Sequence, residues 1–263
     1  MRALIWGKTY PELSSRNRET VCTGAVDLAT GRPLRLYPVP LRYLEGDQQY
    51  RLYDIVEVDI TRSPRDRRPE SHKIDADSLR SVAHIATDAS EWAERRSLIF
   101  ADDGWHFDSV AALKAAQQAG THSMGVVSIS EMIDVRVAPK AADAEVKHQE
   151  KWDSITSQQD LFPKEYRALE FIPVTIRARW RCLDSKGCGC ARTPHDGAVF
   201  DWGLLELGRK TQDWSKAADK LREISDLATH DFRLFMGNLF LHQKTFVIIG
   251  FWYPKRRDQR PLL

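Results

Sequence analysis

Fourteen consecutive residues constrain this chain more than any others: Cys182-x5-Cys188-x-Cys190-x4-His195 packs three thiols and an imidazole into one short segment. That donor set suits tetrahedral zinc, and closing it round one ion requires the backbone to reverse within a tight turn. Gly187 and Gly189 favour such a knuckle, because glycine takes positive φ without steric cost. The single residue between Cys188 and Cys190 strains ligation by both. One of the two is then a bystander replaced by His230, His242 or an acidic group, or the turn accommodates both. The competing readings are three reduced cysteines in a surface loop, or a catalytic thiol, although no Cys-His pair here has a recognised nucleophile context. Four protein ligands would leave no position for water, which favours structural zinc. A catalytic ion would drop one ligand and draw on Asp196 or Asp201.

The remaining cysteine, Cys22, stands alone, and a chain of 263 residues builds a core without disulfide staples. With 42% hydrophobic and 29% charged residues, the composition is that of a globular chain of one large or two smaller units. Its longest apolar run, from Thr245 to Tyr253, is half of what a bilayer crossing needs, and the first ten residues lack a signal-peptide pattern. The expected location is the cytoplasm, with no membrane partner. A net charge of +2 names no nucleic-acid partner by itself; the distribution of charge has to do so.

Strand-like patterning dominates the first sixty residues. Thr20 to Leu28 and Pro33 to Val39 flank the turn Ala29-Thr30-Gly31-Arg32, and Tyr53 to Ile60 alternates as a third strand. The segment from Arg62 to Lys73 sets five basic residues against two acidic ones, a net charge of +3. Helices are expected at 76–85, 90–99 and 107–119, the last ending at Gly120. A strand over 124–137 and a polar helix over 141–157 lead to an exposed connection at Gln158-Gln159-Asp160. Beyond it come a strand over 169–182, the cysteine cluster, helices over 201–208 and 213–228, and a final strand over 245–252. The fold expected is α+β. An N-terminal β-rich, barrel-like domain (1–140) carries a helical insertion (75–120), and a C-terminal domain (160–263) is organised by the zinc knuckle.

Alternation over Thr175 to Arg181 puts Arg177, Arg179 and Arg181 on one strand face and Ile176, Ala178, Trp180 and Cys182 on the other. The guanidiniums then repeat every 7 Å or so, close to phosphate spacing along a nucleic-acid strand. The bland alternative is a solvated strand whose arginines pair with acidic neighbours. Arg65, Arg67 and Arg68 of the basic loop, Arg16, Arg18, Arg32, Arg35 and Arg42 of the first sheet, and Lys255, Arg256, Arg257 and Arg260 of the tail offer further positive surface. These residues make nucleic acid, DNA or RNA, the expected partner, in a sensor or accessory module. From another class, Glu57, Asp59 and Glu70 are weak candidates for holding the metal of a phosphodiester hydrolase. No phosphate loop or dinucleotide fingerprint is present. A third option is a protein partner that meets the basic face.

Lys8-Thr9-Tyr10-Pro11, Glu19-Thr20-Val21-Cys22-Thr23, Arg35-Leu36-Tyr37-Pro38-Val39-Pro40 and Arg68-Pro69-Glu70-Ser71, followed by the Cys/His cluster and Asp201-Trp202, resemble a group of uncharacterised bacterial proteins. The resemblance covers most of the chain and implies a bacterial cytosolic protein, without adding a catalytic residue.

Overall fold

The computed structural model describes residues 1–14, 18–86, 89–157 and 167–256. Arg16, the Gln158-Gln159-Asp160 connection, Arg257 and Arg260 lie outside the described residues. Two sheets organise the chain. The first contains β1 (Arg2–Lys8), β2 (Glu12–Ser14), β3 (Arg18–Asp27), β4 (Pro33–Val39), β5 (Asp54–Glu57), β6 (Ile60–Arg62), β7 (Ser71–Ile74) and β8 (Arg80–His84). It runs in the order β6-β7-β4-β3-β1-β5-β8, with β2 added to β3, and does not close. The β-rich N-terminal half, expected to be barrel-like, is therefore an open sheet among the described residues.

The closed barrel lies in the other half. After α1 (Ala89–Ile99), β9 (His106–Phe107) and α2 (Val110–Gln118) comes β10 (Met124–Pro139), a strand of 16 residues. Its first part, Met124 to Ser128, pairs with β13 (Arg233–Asn238), and its remainder, Ile129 to Pro139, pairs with β11 (Val174–Cys182). One long strand thus joins two edges. β12 (His195–Val199) and β14 (Phe246–Trp252) complete the ring β11-β12-β14-β13-β10-β11. The pairs in this ring are antiparallel except β12 with β14. Residues 106–139, grouped by the sequence pattern with the first unit, supply β9 and β10 of this second sheet.

Helix α3 (Ala144–Thr156) lies in the β10–β11 connection, the one-turn α4 (Ser185–Cys188) follows β11, and α5 (Trp202–Thr211) and α6 (Trp214–Ile224) connect β12 to β13. Leu204, Leu205, Ala217, Leu221 and Ile224 of the last two close on the barrel core of Ile176, Ala178, Trp180, Leu234 and Ile248. The helix expected over 76–85 is instead a single 3-10 turn at Ala76–Ser78 followed by β8. Asp75 caps the turn by accepting from the Asp77 amide at 3.1 Å, and the free edge of β5 then supplies a ladder partner that local propensity does not reveal. The third expected strand stops at Glu57, which leaves Asp59 between β5 and β6. A second core fills the seam between the sheets, where Trp6 of β1 stacks on Phe235 of β13 at 4.5 Å and Trp105 and Trp252 pack beside them. Among the described residues no helix is long and apolar enough to cross a membrane.

Candidate metal centre

Strand β11 continues its buried face through Trp180 to Cys182, which is fully buried. The chain then leaves the barrel wall. The Asp184 carboxylate accepts from the Gly187 amide at 2.9 Å and caps α4, which ends at Cys188. Gly189 takes φ +76°, a left-handed conformation that turns the backbone between the two cysteines and that a side chain would resist. The segment re-enters the barrel as β12, with His195 opposite Trp180. Leu183 donates to the Ser128 carbonyl and Asp184 to the Asp108 carbonyl, at 3.0 and 2.9 Å, which ties the excursion to its surroundings.

One ligand atom from each of Cys182, Cys188, Cys190 and His195 lies within 4.8 Å of all the others. The Cys188 sulfur is 4.0 Å from that of Cys182 and 3.0 Å from His195 Nε2. A tetrahedron with metal–sulfur bonds of about 2.3 Å has edges of about 3.8 Å, so small adjustments would seat an ion. The amides of Cys182 and Val110 donate to the sulfurs of Cys190 and Cys182, at 3.2 and 3.4 Å, an arrangement that stabilises negative sulfur. Both closely spaced cysteines belong to the cluster. Of the alternative ligands, His230 is bonded to the Thr229 hydroxyl at 2.9 Å, and His242 lies in the exposed β13–β14 loop; neither joins the group.

Burial holds the Cys182 thiol well above its usual range. It also lowers the His195 pKa, with help from the Lys114 charge. An imidazole kept neutral is ready to ligate, whereas buried thiols need a cation to make their ionised form favourable.

The arginines predicted on one face of β11 are on one face. Residues 175, 177, 179 and 181 are half-buried while 176, 178, 180 and 182 are buried. Arg177 donates to Asp196 at 2.7 Å, Arg136 of β10 shares that carboxylate, and Arg181 is paired with Glu131. Arg179 has no ion pair among the described residues. Arg68 does not join this face: it is buried, bonded through Nη2 to Asp66 at 2.7 Å and through Nη1 to the Asn238 carbonyl at 2.8 Å. Arg65 and Arg67 are exposed in the loop that precedes it.

The three candidate carboxylates are not brought together. Glu57 is exposed and 3.2 Å from Arg2, Asp59 is exposed, and Glu70 is buried with its oxygens 2.8 Å from the Ser123 amide and 2.5 Å from the Ser123 hydroxyl. Among the described residues the Cys/His group is the one cluster of such side chains placed closely enough to hold a metal ion.

Arg35, expected with the other arginines of the first sheet to add positive surface, is instead buried and reaches from β4 to Ser123 of the barrel half. The signal was available, since Arg35, Cys22 and Arg68 fall in three of the motifs that carry the resemblance.

Residues 106–263, which include the whole barrel and the Cys/His cluster, match the family model described as domain of unknown function DUF8757. The chain belongs to this family. Residues 1–101 match a second model, domain of unknown function DUF8758. No curated protein and no solved structure matches the chain.

Proposed function

We propose that the protein is a nucleic-acid-binding module, with a structural zinc ion held by Cys182, Cys188, Cys190 and His195 at one end of its barrel. Three thiolates and one imidazole favour zinc, and four protein donors leave no coordination position for a reacting water. Such an ion would fasten the end of β11 to the start of β12, the two strands whose outer face is offered to the ligand.

The observation that carries the reading is the row Arg177, Arg179 and Arg181 on the outside of the barrel's second strand. The strand order and directions, with helices between the third and fourth strands, match the Greek-key barrel of the OB-fold. In that fold the outer face of strands two and three binds oligonucleotides. That part is analogy at the level of fold, and the arginines supply the chemistry. The face holds four arginines and the carboxylates Glu131, Asp134 and Asp196. Exposed ion pairs contribute only about 0–1 kcal/mol each, so a phosphate can displace them. Further support comes from the β10–β11 connection, where Lys140, Lys147, His148 and Lys151 outnumber the carboxylates Glu12 and Glu170 around a groove of about 370 Å³ with Tyr10 and Phe171 in its wall. Rings beside cations suit single strands, each base stack contributing about 1–3 kcal/mol. The hydrolase reading draws no support from the separated Glu57, Asp59 and Glu70.

The test is binding of labelled single-stranded DNA and RNA against salt concentration. Replacing Arg177, Arg179 and Arg181 together by glutamine should flatten the log–log slope by up to about 2, at about 0.7 for each phosphate no longer neutralised. An unchanged slope and affinity would falsify the reading, and cleavage of the substrate in magnesium would revive hydrolysis.

A further inference from the structure

A cleft of about 160 Å³ opens on the seam between β3–β4 of the first sheet and β13–β14 of the barrel. Cys22, Arg35 and Arg68 wall one part of it, and Phe200, Phe240 and Ile249 wall another. We propose that this cleft binds a small organic anion, its carboxylate or phosphate head on Arg35 and its apolar body against Phe200, Phe240 and Ile249. None of these residues belongs to the β11 face, so the proposal stands apart from the nucleic-acid reading.

Arg35 is 3% exposed, yet its hydrogen bonding is incomplete. Nη2 donates to the Ser123 carbonyl at 3.0 Å and hydroxyl at 3.2 Å, Nη1 is 3.6 Å from the Cys22 sulfur, and Nε has no partner. No carboxylate lies within ion-pairing distance of it among the described residues. The nearest counter-charge in its network, Glu70, spends its oxygens on Ser123. A buried guanidinium lacking a directly bound carboxylate is costly, and an oxyanion is the partner that its planar fork fits.

The barrel makes room for this group. A Cβ on Gly237 would lie 3.2 and 3.4 Å from the two Nη atoms of Arg35. Arg68 adds a second cation to the wall, 5.6 Å from the Phe240 ring centre. Its partner Asp66, like Glu70, is not part of the wall; the carboxylate that is, Glu12, is exposed.

Size limits the occupant. At about 10–15 Å³ for each water-sized position, the volume corresponds to on the order of ten positions, below the roughly 300 Å³ and more of pockets for drug-sized ligands. A single ring with an anionic head fits that space. A polymer strand does not.

Cys22 is a half-buried wall residue, so its alkylation by iodoacetamide in the purified protein of both halves, read by peptide mass spectrometry, reports occupancy. The probes are benzoate and phenyl phosphate, with benzamide and phenol as neutral counterparts and calorimetry as a second readout. One of the anions should slow Cys22 modification about tenfold at ten times its Kd, while its neutral counterpart does not. Benzoate acting alone assigns a carboxylate ligand, and phenyl phosphate acting alone assigns a phosphate. Arg35→Gln should abolish the protection. Should that variant not fold, Phe240→Ala, which trims a half-exposed ring, should weaken the affinity about tenfold. Equal protection by the neutral compounds, or neither protection nor calorimetric binding with both anions, overturns the proposal and leaves Arg35 as a bolt across the seam.

Discussion

The Cys/His cluster and the seam cleft both gather buried polar groups, but they are assembled differently. Donors at the cluster come from fourteen consecutive residues, positioned by one capped turn and a left-handed glycine. The cleft draws Arg35 and Arg68 against Ser123 and Asn238, partners 88 and 170 residues away in sequence. A local cluster needs little beyond its own turn and an ion, whereas the seam exists only once both sheets have docked. Perturbing the first should therefore act on one end of the barrel, and perturbing the second on the joint between the halves.

The largest effect is expected at the cluster. Binding of structural zinc is worth about 10–16 kcal/mol in small metal-dependent domains, so Cys182→Ser should remove about one equivalent of metal and at least about 5 kcal/mol of stability. Chelation of the wild-type protein should raise hydrogen exchange first over 184–195. Uniform exchange across both halves would break the contrast between a local and a distributed device. Next comes Arg68→Met, which leaves Asp66 buried without its partner and should cost about 3–5 kcal/mol in urea unfolding. Its exchange should rise on both sides of the seam, at 66–71 and at 237–240. A loss below about 1 kcal/mol would mean that the seam does not depend on this pair.

The same contrast explains what could be read from sequence. The cysteine cluster was legible because its spacing is local, and the β11 face because Thr175 to Cys182 alternates without interruption. The position of the barrel was not legible. Its closure depends on β10 changing partners near Ile129, from β13 to a strand more than forty residues later, and no pattern within β10 announces that. Arg68 read as surface charge because five basic residues surround or include it in one loop; its burial is set by Asp66 beside it and by Asn238 of a strand that folds onto it. Arg35 alternates with apolar neighbours as a solvent-facing residue would, until the barrel covers that face.

A further way to separate the two regions uses pH. The Asp201 carboxylate caps α5 by accepting from Leu204 at 2.8 Å, and burial raises its pKa to about 6 against the opposing pull of the Lys8 charge. Its backbone bridges to Thr9, so it belongs to the seam. Between the ordinary carboxylate value and about 6 the folded state holds a proton that the unfolded chain releases, so this group's contribution to stability falls as pH rises through that window. Asp201→Asn keeps a good cap and removes the ionisation. Relative to wild type, the variant should gain up to about 3 kcal/mol between pH 4 and pH 7. The difference between the two proteins is the readout, because every other acid-linked loss of stability is common to both. A constant difference across that range would mean that the carboxyl ionises freely in the folded state.

The smallest effect on stability should come from Arg179, and for that reason it discriminates best between a basic face that binds and one that merely balances charge. Arg177 and Arg181 each face a carboxylate, and Asp196 is held by both Arg136 and Arg177. Arg179 stands opposite Asp196 on one side and Asp134 on the other, without an ion pair to either among the described residues. Arg179→Gln should therefore change stability by less than about 0.5 kcal/mol. Yet of the three arginines on β11, this is the side chain that meets a phosphate without first giving up an ion pair to a described residue. Its loss should reduce the slope of log affinity against log salt for a single-stranded oligonucleotide by about 0.7, measured by fluorescence anisotropy between about 50 and 200 mM salt. Arg177→Gln should reduce it less, because Asp196 competes for that guanidinium in the free protein. Equal slopes for wild type and both variants would make the face a charge-balanced barrel wall. A larger change for Arg177 than for Arg179 would mean that the strand displaces the Asp196 pairs on binding.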